Sequence, residues 1–325
     1  MNQRQNYWED KKWGIFSHYL ANPAGNSVER VVTSEEWNRQ IDEFQVSKLA
    51  EQISQTGADY FCITIGQNSG NYCTPNETYD RLTGITPSRC SQRDLVQELS
   101  EELAKYGIDL WVYLPSGAPC ADAQAVEQLE WEDGMWDEQA GRFVCKRLEN
   151  FQRKWESIIE EWSLRWGDGV KGWWIDGCYF AKDMYLHPEE PNFTSFARAL
   201  RAGNKDAVIC FNTGLDTPFL IPHEEGDFTA GEVGDVLPLT VDGDATTKGI
   251  CEKLSGKKLH VLSYLGTFWG MGEPRFPDAL AAGYTQYLIQ KGGVITWDIR
   301  LNRDGSIPET FLRQLIEVGT AVSSM

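Results

Sequence analysis

The sequence has few basic residues for its acidic content. It contains 30 Lys and Arg against 48 Asp and Glu, so its formal net charge is −18 at pH 7. A protein that binds nucleic acid must neutralise phosphates with Lys and Arg, and anionic membrane surfaces attract the same residues. The composition therefore speaks against both partners and favours a neutral or weakly charged small molecule.

Paired cysteines and grouped histidines are also missing. The eight Cys stand singly, with no C-x-x-C pair and no zinc-like spacing, and the four His are scattered. We therefore expect a reduced, cytoplasmic protein with no metal and no cofactor. The sequence shows neither a signal-peptide pattern nor an apolar run of the roughly 20 residues that a spanning helix needs. It leaves the oligomeric state open, a homo-oligomer included.

The sequence does contain short apolar runs that alternate with longer segments of helical period. Such runs predict eight strands, at 12–19, 60–66, 110–116, 172–178, 207–213, 227–232, 260–266 and 293–299. Segments such as VSKLAEQISQTG and SQRDLVQELSEELAKYG predict helices that close on Gly, as helices often do. Eight strands with intervening helices favour an α/β (β/α)8 barrel, and nothing separates a second domain, so we expect residues 1–325 to form one barrel domain.

Polar residues stand at the carboxyl ends of most of these predicted strands. The run Trp173-Trp174-Ile175 ends on Asp176-Gly177, where a charge costs free energy unless it is used. The other strand ends carry His18, Gln67, Asn68, Asn212, Glu232, Trp297 and Asp298. Chemistry in such barrels lies at the carboxyl ends of the strands. We therefore expect one polar site around Asp176, although each polar residue by itself is also suited to capping a loop.

Several motifs, in order along almost the whole chain, resemble one enzyme family. They are YWEDKKWGIFSHY, TSEEWNRQIDEFQVSKLAEQISQTGADYFCIT, RDLVQELSEELAKYGIDLWVYLPS, GWWIDG, GDFTAGE and KGGVITWDIRLNRDGSIPETFLRQLIEVG. Together they resemble the catalytic barrel of the α-L-fucosidases, glycoside hydrolase family 29. The resemblance implies a (β/α)8 catalytic barrel, here expected without the β-sandwich domain that commonly follows it in the family.

The resemblance also implies that Asp176 is the nucleophile of a retaining α-glycosidase. Such chemistry needs an ionised carboxylate at the anomeric carbon and a protonated carboxyl about 5–5.5 Å away. In the family, the residue matching His18 reaches a sugar hydroxyl and the one matching Trp174 forms a sugar-facing wall. Glu36, beside Trp37, matches a substrate-facing acid.

The acid/base is open between three residues. Glu232 is the first choice because it ends a strand on the same face as Asp176. Glu273 is the second, since the loop after strand seven could bring it over the site. The family pattern places His260 where a Glu usually stands, and a His could carry a proton near neutrality.

The sugar site departs from the family pattern. Gln67 and Asn68 replace two histidines, and FNTGLD keeps Asn212 but loses an arginine. The remaining predicted substrate-binding residues are Tyr113, Trp269 and Trp297, and Trp131 and Trp136 in loop 117–147 are candidates for stacking on a second sugar. The substitutions leave two alternatives to a fucosidase, namely an α-glycosidase for another sugar such as galactose and a carbohydrate-binding barrel with little or no activity.

Overall fold

The computed structural model describes residues 3–24, 30–139, 142–239 and 257–325. The strands are β1 Trp13–Ser17, β2 Tyr60–Thr64, β3 Asp109–Pro115, β4 Met135–Asp137, β5 Arg142–Val144, β6 Val170–Asp176, β7 Val208–Phe211, β8 His260–Tyr264 and β9 Val294–Asp298. Strands β4 and β5 form a small antiparallel hairpin. The other seven form one parallel sheet in the order β7-β6-β3-β2-β1-β9-β8, which curls so that the first and last strands of the chain are neighbours.

Helices cover the outer face of this sheet. They are α1 Gln3–Asn6, α2 Ser34–Asp42, α3 Val46–Ser54, α4 Glu77–Thr83, α5 Leu95–Ala104, α6 Ala123–Leu129, α7 Glu149–Trp166, α8 Ala181–Met184, α9 Phe193–Leu200, α10 Asp278–Gln290 and α11 Glu309–Ser323. Side-chain caps begin several of them; for example, Asp94 accepts a hydrogen bond from the backbone of Gln97 at the start of α5. Among the described residues, no helix combines the length and the apolar character needed to cross a bilayer.

Seven of the eight predicted strands are present, and the described residues contain no eighth strand that would close the barrel. Segment 227–232, predicted as strand six, makes only isolated bridges, from Phe228 to Lys258 and from Glu232 to Leu262. Gly231 has a φ of 68°, a left-handed conformation that interrupts an extended strand. The segment therefore lies beside β8 without forming a regular strand between β7 and β8. Cys251 lies outside the described residues, and the other seven cysteines are free.

Two apolar layers result from the alternation of side chains along the strands. The larger layer lies between sheet and helices and includes Ile15, Ile63 and Ile175. The inner layer is aromatic at the amino ends of the strands, where Tyr60 and Trp111 stack with ring centroids 4.0 Å apart. Trp8, just after α1, packs edge-on against Trp111 at 5.5 Å. These rings fill the amino end of the curled sheet, so any open space lies at the carboxyl end.

Candidate active site

Asp176, the last residue of β6, accepts four hydrogen bonds. Its Oδ1 accepts from the backbone N–H of Gly177 (2.7 Å), the hydroxyl of Tyr179 (3.2 Å) and the Nδ2 of Asn212 (2.8 Å). Its Oδ2 accepts from the hydroxyl of Tyr113 at 2.6 Å. Gly177 has a φ of 76°, which turns the chain so that its N–H points back to the carboxylate. Donors on both oxygens stabilise the ionised form and fix its orientation.

Glu232 lies next to this carboxylate. The Nδ2 of Asn212, which donates to Asp176, also donates to Glu232 Oε2 at 2.6 Å. Burial, and next the negative charge of Asp176, raise the pKa of Glu232 from 4.5 to about 7, although Asn212 partly opposes the shift. Glu232 therefore holds its proton for part of the time at neutral pH, and it lies beside Asp176, whose two carboxylate oxygens both accept hydrogen bonds.

His18 follows β1 and is fixed by a buried carboxylate. Its Nδ1 donates to Asp298 Oδ1 at 2.9 Å, and the N–H of Gly270 donates to Asp298 Oδ2 at 2.6 Å. Burial raises the pKa of Asp298, while His18 and Gly270 oppose that shift. Because Nδ1 is engaged with Asp298, Nε2 is the ring nitrogen that His18 can offer to a ligand.

A pocket of about 410 Å³ opens above these groups. The Tyr113 and Trp174 rings stack in its floor with centroids 5.4 Å apart. Gln67 donates from Nε2 to the Tyr113 hydroxyl at 2.8 Å, so it reaches Asp176 through that tyrosine. Within the described ranges, His, Cys, Asp and Glu do not gather into a group of three that could hold a metal ion.

Most of the predicted site residues lie together at this pocket. Its lining includes His18, Gln67, Asn68, Tyr113, Trp174, Asp176, Glu232 and Trp269. Asn212 lies between the two carboxyl groups rather than in the lining.

Glu273 and His260, the two other acid/base candidates, lie elsewhere. Glu273 is 63% exposed and pairs with Arg300 at 2.8 Å. His260 begins β8, at the opposite end of the sheet from Asp176, and is 1% exposed. Burial lowers the pKa of His260 to about 4, so the imidazole stays neutral at pH 7 within the core. Neither prediction is supported by the geometry.

Three other predicted substrate-binding residues lie outside the lining of this pocket. Trp297 points away from the pocket, because Nε1 donates to Thr285 of α10 at 2.9 Å. Trp37 is buried behind the sheet, where Nε1 donates to the backbone oxygen of Tyr72. Glu36 closes a capping box with Thr33 at the start of α2. The Thr33 backbone, and then Arg30, lower the pKa of Glu36 to about 2.

Several pocket residues were not predicted. Tyr179 follows Asp176 by three residues, and the turn at Gly177 brings its hydroxyl back to the carboxylate. Asp133, Phe180, Leu215 and Phe268 line the pocket from loops whose paths the sequence does not reveal. Of the two loop tryptophans, Trp131 lines the pocket, whereas Trp136 is exposed outside its lining.

No known family model matches the sequence, and no curated protein matches it either. Solved structures match the fold. The endo-fucoidan hydrolase MfFcnA4 from glycoside hydrolase family 107 has a TM-score of 0.71 at 17% identity, covering 99% of this chain and 54% of that chain. The endo-fucoidan hydrolase P5AFcnA of the same family has a TM-score of 0.68 at 16% identity, covering 98% and 92%. The α-L-fucosidase AlfC from Lactobacillus casei, in complex with α-L-fucose, has a TM-score of 0.64 at 15% identity, covering 99% of both chains.

These likenesses establish the fold. The chain spans about half the length of MfFcnA4 and nearly all of AlfC. The neighbours include members of glycoside hydrolase family 107, so the structural match does not single out the family that the sequence motifs resemble. The chain therefore has the barrel-like fold of fucose-acting glycoside hydrolases.

Proposed function

We propose that the protein is a retaining exo-α-glycosidase for α-linked fucose or a closely related sugar. One observation carries the proposal, namely the Asn212 nitrogen that donates to both Asp176 and Glu232. The two acceptor oxygens can be no further apart than the sum of these distances, about 5.4 Å. Retaining glycosidases hold their carboxyl groups about 5–5.5 Å apart, whereas inverting enzymes need about 6.5–9.5 Å to fit a water.

Glu232, whose pKa is raised, suits the general acid of the retaining reaction, and Asp176, which accepts four hydrogen bonds, suits its nucleophile. Glu232 gives its proton to the glycosidic oxygen while Asp176 attacks the anomeric carbon, so the carbon–oxygen bond breaks and a glycosyl ester forms. Glu232, now ionised, takes a proton from water, and the resulting hydroxide displaces Asp176. The raised pKa of Glu232 favours the first step, and its proximity to the ester favours the second.

The choice of sugar rests on the rest of the pocket and on the structural neighbours. The stacked Tyr113 and Trp174 rings offer an apolar surface beside the nucleophile, and Gln67 and His18 offer hydrogen bonds to hydroxyls. One structural neighbour holds α-L-fucose, and two others are named for hydrolysis of fucoidan. We therefore propose fucose first, with other α-linked sugars such as galactose as the next to test.

A panel of activated aryl α-glycosides, fucoside and galactoside included, tests this proposal with Asp176→Asn as the matched variant. An activated leaving group needs little acid assistance, so the assay reports on the nucleophile. We expect release from the fucoside by the parent protein, loss of that release in the variant, and an unchanged Tm. Turnover that survives the substitution would refute the role of Asp176, and a parent silent on every glycoside would refute the enzyme.

A further inference from the structure

Several large apolar side chains line the mouth of the pocket. Tyr179, Leu215 and Phe268 are exposed, and all three line this pocket. Trp131 and Phe180 line it as well, and these five side chains are together called the wall. Exposed apolar side chains that cluster around one opening mark a binding surface, whereas single exposed apolar side chains scattered over a surface are ordinary.

Two of these rings are held in place by the backbone. A Cβ on Gly117 would lie 2.8 Å from the ring of Trp131, and a Cβ on Gly134 would overlap the ring of Phe180. Trp131 also donates from Nε1 to Asp133 at 2.9 Å and packs edge-on against Phe151 at 4.6 Å. The wall therefore exists before a ligand arrives, and a ligand does not have to order it.

The charges around the pocket are of one sign. Asp133, Asp176 and Glu232 line it, whereas none of the described lining residues is Lys or Arg. An anionic group here would lose water without gaining a cationic partner, and the acidic residues would repel it. The lining thus disfavours a sulfated or phosphorylated ligand.

We propose that this wall, formed by Trp131, Tyr179, Phe180, Leu215 and Phe268, binds the leaving group of the substrate, and that the leaving group is uncharged with a flat apolar face. The wall starts beside Asp176 and reaches solvent. In an exo-acting enzyme, the bond to be cleaved must point in this direction, from the nucleophile towards solvent. An aryl ring and the apolar face of a second sugar both have this chemistry. This inference rests on the proposed glycosidase activity and deepens it.

Kinetics with leaving groups of different size test the wall. The substrates are α-L-fucosyl fluoride, whose leaving group is too small to reach the wall, an aryl α-L-fucoside, and an α-L-fucosyl disaccharide with or without a sulfate on its second sugar. Leu215→Ala and Phe268→Ala remove exposed side chains, and Leu164→Ala removes an equally exposed one from α7, outside the pocket.

We expect both pocket variants to lower kcat/KM roughly three- to tenfold for the aryl fucoside or the uncharged disaccharide, mainly through KM. Both pocket variants should hydrolyse the fluoride as fast as the parent does. The Leu164→Ala variant should match the parent in kcat/KM for every substrate. The substrate with the larger loss identifies the leaving group as aryl or sugar, and the sulfated disaccharide should be the poorest for the parent.

Equal effects on the fluoride and the larger substrates would overturn the inference, as would a parent that prefers the sulfated disaccharide. Those outcomes leave the proposed function intact, because the fluoride is still hydrolysed. A parent that does not hydrolyse the fluoride overturns the assignment to fucose, and the wall's role with fucosides falls with it.

Discussion

Each end of the curled sheet contains a histidine, and these two histidines differ in their hydrogen-bond partners and in their access to the pocket. At the carboxyl end, His18 pairs with the carboxylate of Asp298 and lines a pocket. At the amino end, His260 lies among aromatic rings, where Nδ1 donates to the carbonyl oxygen of Ala230 at 3.0 Å. Because burial lowers the pKa of His260 to about 4, the ring is neutral at pH 7 and its Nε2 accepts from the Thr296 hydroxyl, 2.6 Å away.

The comparison shows that position along a strand decides what a polar residue does. The amino end is filled by Trp8, Trp111 and Tyr60, so a polar group there must be satisfied inside the core. The carboxyl end is left open by the loops, and polar groups there can face a ligand. We expect substitutions at the carboxyl end to change activity and those at the amino end to change stability.

The largest effect is expected from Glu232→Gln. For a substrate with a poor leaving group, kcat should fall roughly 10²- to 10⁴-fold, the usual contribution of a general acid. The parent is expected to lose activity above about pH 7, where Glu232 loses its proton, and this loss should be absent from the variant. Steady-state pH profiles measure both. Glu273→Gln is the matched control, and an equal loss in that variant would contradict the assignment.

Trp111→Ala should give the largest effect at the amino end. Removing this buried ring leaves a cavity beside Tyr60 and should lower the free energy of unfolding by about 3–5 kcal/mol. Trp269→Ala, at the pocket, should instead raise KM with a much smaller change in stability. Denaturant unfolding and substrate titration of the two variants compare the two ends of the sheet directly. A Trp269→Ala variant as unstable as Trp111→Ala would contradict the distinction between an end for activity and an end for stability.

The two histidines give a smaller and more direct contrast. His18→Gln should raise KM, since it removes a contact offered to the sugar. His260→Gln should lower the free energy of unfolding by about 1–3 kcal/mol, because a buried hydrogen-bonding group loses its partner. Its kcat/KM should match that of the parent. If His260→Gln raised KM and His18→Gln did not, the two ends of the sheet would have been assigned the wrong way round.

The smallest effect is a difference in pH dependence of stability. The pKa of Glu232 is raised from 4.5 to about 7, so its contribution is present below pH 4.5 and is lost as pH rises through 7. The pKa of His260 is lowered from 6.5 to about 4, so its contribution is present above pH 6.5 and is lost as pH falls through 4. Glu232→Gln should therefore lessen the decline of Tm towards high pH, and His260→Gln the decline towards low pH. Unaltered Tm profiles in both variants would argue against these shifts.

The sequence predicts the strands and the strand-end residues well, because both depend on local patterns. Asp176 and Trp174 share a face of β6, as the alternation of strand side chains requires, and both lie at the pocket. The same alternation shows why Trp297 was misplaced. Its neighbours Thr296 and Asp298 face inward, so Trp297 must face the helices.

Other features depend on contacts between distant segments and could not be predicted. GDFTAGE predicts strand six, but Gly231 takes a left-handed conformation there, and the backbone of His260 lies so close that a side chain at this position would not fit. The family pattern matches His260 to a catalytic position, yet the strand register places His260 at the start of β8, opposite Val294. Loop residues such as Leu215 carry no periodicity that would reveal the pocket wall.

Asn212 has a consequence for how charge is managed through the proposed reaction. Before attack, the negative charge lies on Asp176 and Glu232 is neutral; in the glycosyl ester, Asp176 is neutral and the charge lies on Glu232. The pair thus carries one negative charge throughout, which moves from one carboxyl group to the other and back. The Asn212 amide donates to both, so it can stabilise the charge in either location without having to move.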